Sequence, residues 1–135
     1  MRRHYIGAIL GCALLFSLPA VVQAANFSGT WAASGTLGRQ GSGVFVSTAP
    51  VCVFRQRGNA VSGTCKGPNA IGSALGAVRG FSIEWQWHDI ATNPRGISGI
   101  ATFRGTLGSD GVIRGDWTFS PAPGYVGEFS AQRVP

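Results

Sequence analysis

The sequence predicts an all-β fold, a small up-and-down antiparallel barrel of about eight strands carrying one disulfide. Three observations lead there. Glycine is abundant, at 21 of 135 residues, and it recurs at one place in a repeated five-residue pattern. Residues 81–88 alternate strictly between apolar and polar. Beyond the first residues, no stretch repeats its apolar positions with the period of a helix.

The five-residue windows are Phe27-Ser28-Gly29-Thr30-Trp31, Val61-Ser62-Gly63-Thr64-Cys65, Phe103-Arg104-Gly105-Thr106-Leu107, Ile113-Arg114-Gly115-Asp116-Trp117 and Tyr125-Val126-Gly127-Glu128-Phe129. Each reads apolar, polar, Gly, polar, apolar, with Val126 the one exception. Residues two apart in a strand share a face. Each window therefore places a glycine between two bulky residues on one face. Glycine there lets a strand coil sharply while neighbouring side chains fill the gap, which is how barrel corners are made. So many interior glycines would weaken a helix.

Nine strand candidates follow: 26–33, 43–48, 51–57, 60–66, 74–80, 81–88, 97–107, 111–119 and 124–132. That is one more than eight, with 43–48 the least regular. In 81–88, Phe81, Ile83, Trp85 and Trp87 take one face and Ser82, Glu84, Gln86 and His88 the other. Gly58-Asn59 suits a two-residue hairpin turn. That loop sets Cys52 opposite Cys65 in a non-hydrogen-bonded pair, close enough for a disulfide, and Phe54 opposite Gly63. A second hairpin centred on Gly108-Ser109-Asp110-Gly111 sets Gly105 opposite Gly115.

The start of the chain is read apart from this domain. Arg2, Arg3 and His4 precede the apolar run Tyr5 to Leu18; Pro19 and then Val22-Gln23-Ala24 follow. This is the pattern of a cleaved secretory signal, giving a signal peptide at 1–24 and a single barrel domain at 25–135. The expected location is outside the cytoplasm, periplasmic or extracellular. Cys12 leaves with the signal, and Cys52 and Cys65 remain as an even pair in an oxidising compartment. No later apolar run reaches membrane-spanning length, so no membrane span is expected after cleavage.

Without Arg2 and Arg3, nine basic residues stand against five acidic ones, a net charge of +4. The bases are scattered, without the basic cluster and interleaved aromatics of a nucleic-acid surface. A basic bias of this kind suits a soluble surface or an anionic partner in the cell envelope.

Gly29-Thr30-Trp31 on the first mature strand resembles the G-x-W signature of the calycin barrels, the lipocalin and avidin-like proteins. The resemblance implies that Trp31 plugs one barrel end with Arg133 packed across it as a cation–π partner. Phe81-Ser82-Ile83-Glu84-Trp85 and Gly115-Asp116-Trp117 are similar to the tryptophan-bearing strands that enclose biotin in avidin-like chains. The biotin-reading polar residues do not carry over: Gly63-Thr64-Cys65 stands where that family has Gly-Thr-Tyr, and the last strand lacks its aspartate. The chain also resembles small exported bacterial proteins of the same Gly-Thr-Trp pattern, for which no role is named.

Catalytic chemistry finds little support. His88 is the one histidine left after cleavage, and the two cysteines are spent on the disulfide, so no metal site is expected. His88 and Asp89 are neighbours on a strand and point to opposite faces. No nucleophile elbow, free thiol or carboxylate pair stands out. The expectation is a non-enzymatic binding protein, without a cofactor, that holds a small, partly apolar ligand. Trp85, Trp87 and Trp117 would line the site, and Arg104 or Arg114 would meet an anionic group at its rim. The alternative is a surface interaction or inhibitor module that binds an anionic envelope polymer or a target protein.

Overall fold

The computed structural model describes residues 24–39 and 43–135. Apart from Ala24, the expected signal peptide lies outside the described residues. Nine strands run in chain order: β1 (Gly29–Arg39), β2 (Val44–Thr48), β3 (Val51–Arg57), β4 (Ala60–Lys66), β5 (Ala70–Arg79), β6 (Ser82–Ala91), β7 (Gly99–Leu107), β8 (Ile113–Phe119) and β9 (Gly127–Arg133). Every pairing is antiparallel, each strand from β3 to β9 pairs with the next, and β1 also pairs with β9, which closes the sheet.

The extra strand of the sequence count has a simple origin. Gly35 faces Thr48 of β2, and Ala32 faces Val51 of β3, so both lie along β1 in one continuous register. They form a single barrel position, interrupted at Ala49-Pro50. Proline has no N–H to give to a ladder, and the pairing lapses there although the amide of Ala33 still donates to the Pro50 carbonyl at 2.9 Å. The result is a closed eight-stranded barrel.

The β3–β4 hairpin has the expected register. Arg57 faces Ala60, Phe54 faces Gly63, and Cys52 faces Cys65. The two cysteines are disulfide-bonded with their Cα atoms 4.0 Å apart, the close approach of a non-hydrogen-bonded pair. Gly58 takes φ +58° while Asn59 is not among the positive-φ residues, as in a II′ turn with glycine first. Gly105 likewise faces Gly115.

Two expectations are corrected. Gly80 takes φ +60°, and Arg79 faces Ser82, so Gly80-Phe81 is a second two-residue turn of the same kind. Phe81 is therefore a turn residue, 58% exposed, and does not share the inner face with Trp85. Tyr125 lies in the loop before β9 and is exposed, so the fifth window is in phase only from Gly127 onward.

The inner glycines work as the corner device requires. A Cβ on Gly63 would collide with the Val53 carbonyl, and one on Gly115 with that of Arg104. Aromatic rings stand opposite many of these bare positions: Phe54 at Gly63, Trp85 at Gly76, Trp117 at Gly127, and Phe129 between Gly35 and Gly115. Alternating large and small residues this way fills a narrow barrel. Trp85 stacks on Phe103 at 4.7 Å and Phe103 on Trp117 at 5.7 Å, while Phe54 and Phe129 meet Trp85 edge-on at 5.3 and 5.4 Å. The middle of the barrel is thus solid with rings, each such pair adding about 0.5–1.5 kcal/mol beyond burial.

Candidate functional site

The two ends of the barrel differ. One end carries residues 24–28, the C-terminal residues after β9 and the β3–β4, β5–β6 and β7–β8 turns. There Trp31 donates from Nε1 to the Phe27 carbonyl at 2.9 Å. The Arg133 guanidinium lies 4.5 Å from the Trp31 ring centre and donates to the carbonyls of Ser28 and Asn26. Gln56 accepts from the Phe27 amide at 2.7 Å and donates to the Ala25 and Gly58 carbonyls at 3.0 Å. This end is a plug.

The other end is a mouth. A cavity of about 250 Å3 opens there, lined by β2, the β4–β5 loop, the end of β6, the β6–β7 loop and the ends of β7 and β8. Trp117, Phe119 and Ala101 reach it from β7 and β8, Trp87 and Asp89 from β6, and Arg95 from the loop. The rim is braced: Asn93 donates to the Asn69 side chain at 3.0 Å, the Thr92 amide to the Asn69 carbonyl at 2.9 Å, and the Arg95 amide to the Asn93 side chain at 2.9 Å. Trp117 is held by a 3.3 Å bond from Nε1 to the Thr36 carbonyl.

Of the residues expected to line a ligand site, Trp87 and Trp117 come together at the mouth. Trp85 is elsewhere: it belongs to the packed ring cluster and does not touch the cavity. Arg104 and Arg114 are also elsewhere. Arg104 lies on the outer wall, paired with Glu84 at 3.3 Å. Arg114 is outside too, beside the β7–β8 turn at the plugged end, paired with Asp110 at 2.8 Å. Both point outward because they flank an inward glycine in their strands, and neither stands at the rim. The cation among the lining residues is Arg95.

Sequence reasoning weighs Asp89 only as a neighbour of His88 and gives it no place in the ligand site. β6 continues past His88 to Ala91, so the apolar phase of Ile83, Trp85 and Trp87 ends on Asp89, 8% exposed. Glycines flank it on both sides: Gly99 is its register partner, and a Cβ on Gly72 would stand 3.3 Å from its Cα. Burial pushes the Asp89 carboxyl above its ordinary value of 3.8, against the pull of the Gly99 amide and its own. The usable signal was the two-residue phase itself, carried one step further. Among the described residues, three buried side-chain polar atoms have no hydrogen-bond partner: Trp85 Nε1, Trp87 Nε1 and Asp89 Oδ1. Two of these three residues line the mouth. No group of three or more potential metal ligands occurs among the described residues, and no described helix is long and apolar enough to cross a membrane.

Set against known protein families and curated protein sequences, the chain matches none.

Proposed function

We propose that this protein is an exported, non-enzymatic binding protein that holds one small, partly apolar ligand in the mouth of a calycin-like barrel. The observation that carries the reading is the cavity above a solid aromatic floor, lined by Trp87 and Asp89, whose Nε1 and Oδ1 are buried without partners. Small-ligand sites are concave, mostly apolar, and carry a few placed polar groups. An eight-stranded barrel has room for one such ligand when its interior is not filled to the end. Buried polar atoms left unpaired cost about 1–3 kcal/mol each, and a ligand that pairs them recovers that cost on binding. Trp87 and Trp117 supply the apolar walls.

Native mass spectrometry of the protein purified gently from its own host, compared with the denatured mass, tests this. A discrete adduct lost on denaturation is the expected result. A bare mass, with no adduct and no quenching of tryptophan emission by host extract, overturns it.

A second reading rests on Arg55, Arg57 and Arg79, which are exposed near the plugged end and in no ion pair among the described residues. It makes the protein a surface module for an anionic polymer or an acidic partner. Retention on a polyanion matrix that fades with salt would favour it.

A further inference from the structure

We infer that the mouth selects ligands carrying a protonated amine, with Asp89 as the group that receives it. This rests on the mouth-site reading and adds the chemical class of the ligand. Asp89 lines the cavity, and its Oδ1 is buried and accepts no hydrogen bond. An ionised carboxylate offers acceptors alone, so what completes it must donate. A charged donor does so most strongly, since charge-assisted hydrogen bonds are about twice as strong as neutral ones.

Among the described residues, no charged donor is paired with Asp89. The two ion pairs among the described residues are Glu84–Arg104 and Asp110–Arg114, and both lie outside the barrel. His88, next in the chain, is on the exposed outer face. Arg95 lines the cavity but is exposed and makes no ion pair with Asp89. The flanking Gly72 and Gly99 bring no side chain of their own to the carboxylate. The aromatic faces of Trp87, Trp117 and Phe119 around the same cavity suit both an apolar body and a cation. At about 250 Å3, the cavity fits a compact molecule of this kind.

Three probes of one shape separate the possibilities: phenethylamine, the neutral 2-phenylethanol and the anionic 3-phenylpropionate, each titrated against tryptophan emission of the mature protein purified from its host. The amine is expected to bind at least about tenfold more tightly than the alcohol, the size of one charge-assisted hydrogen bond, and the acid to bind weakest. Asp89→Asn should erase the preference of the amine over the alcohol. In the unsubstituted protein, the amine should lower the apparent pKa of the Asp89 carboxyl, read from its carbon-13 shift, because a nearby cation favours the charged form. An alcohol that binds as tightly as the amine overturns the inference and leaves the mouth-site reading standing. If no probe binds at millimolar concentration, the inference falls, and the native-mass adduct alone decides whether the mouth holds a ligand.

Discussion

The plugged end and the open mouth are built from the same materials, tryptophan, a charged side chain and loops, yet they treat polar atoms in opposite ways. At the plug, Trp31 Nε1, the Gln56 amide and the Arg133 guanidinium all have partners. At the mouth, Trp87 Nε1 and Asp89 Oδ1 have none. Buried polar groups are nearly always satisfied in native structures, so an exception calls for an explanation. Position gives one for two of the three exceptions among the described residues: Trp87 and Asp89 line the mouth, where something from outside can enter, whereas Trp85, whose Nε1 is also unpaired, lies in the packed ring cluster.

The largest expected effect concerns the plugged side, where Cys52 faces Trp31 across β1 and β3. Reducing the Cys52–Cys65 bridge should cost about 2–4 kcal/mol, at the lower end because the loop is short. The urea midpoint with and without reductant measures it, and an unchanged midpoint would show that the bridge constrains nothing. Next in size is a matched pair of substitutions. Trp31→Phe removes the donor to the buried Phe27 carbonyl and should cost about 1–3 kcal/mol. Trp87→Phe removes an indole N–H that has no partner and should cost clearly less. Equal losses would erase the contrast between the ends.

The smallest effect has the sharpest pH signature. Burial raises the Asp89 pKa above 3.8. The protonated form is therefore favoured in the fold, and the stability it contributes is present below pH 3.8 and lost as pH rises through the folded value. Asp89→Asn should accordingly raise Tm at neutral pH, with an advantage that shrinks as the solution is acidified toward 3.8. Melting curves across that range check the sign. A lower Tm at neutral pH would mean that the carboxylate has a partner after all.

Much of the barrel was legible because its signals are local. The β3–β4 register follows from a turn, a cysteine pair and a glycine facing a phenylalanine, all within one hairpin. The glycine phase points inward because strands that coil tightly leave no room for a Cβ. What was missed depends on chain continuation. Phe81 reads as a strand start because it matches the alternation after it, with Gly80 closing the strand before, and only the β5–β6 register shows Gly80-Phe81 to be a turn. His88 reads as the polar end of a strand that stops at 88, which leaves Asp89 out of phase, because no local rule says that β6 runs on to Ala91. Arg104 and Arg114 were assigned to a rim although their phase alone directs them outward. Which end of a barrel stays open is set by how the loops and termini fold over it, and that is not written in any one strand.

The break at Ala49-Pro50 also bears on how the molecule behaves in crowded solution. A closed barrel offers no edge to a neighbouring chain, but among the described residues β2 pairs with β1 alone, and an unpaired edge is a template for strand addition. Here the template is five residues long, Val44 to Thr48, and at Pro50 it reaches a residue that cannot donate. Any sheet grown from it would be short, and the added strand would lie across the wall of the mouth. Self-association at this edge and occupancy of the cavity would then compete, so a bound ligand would act against aggregation.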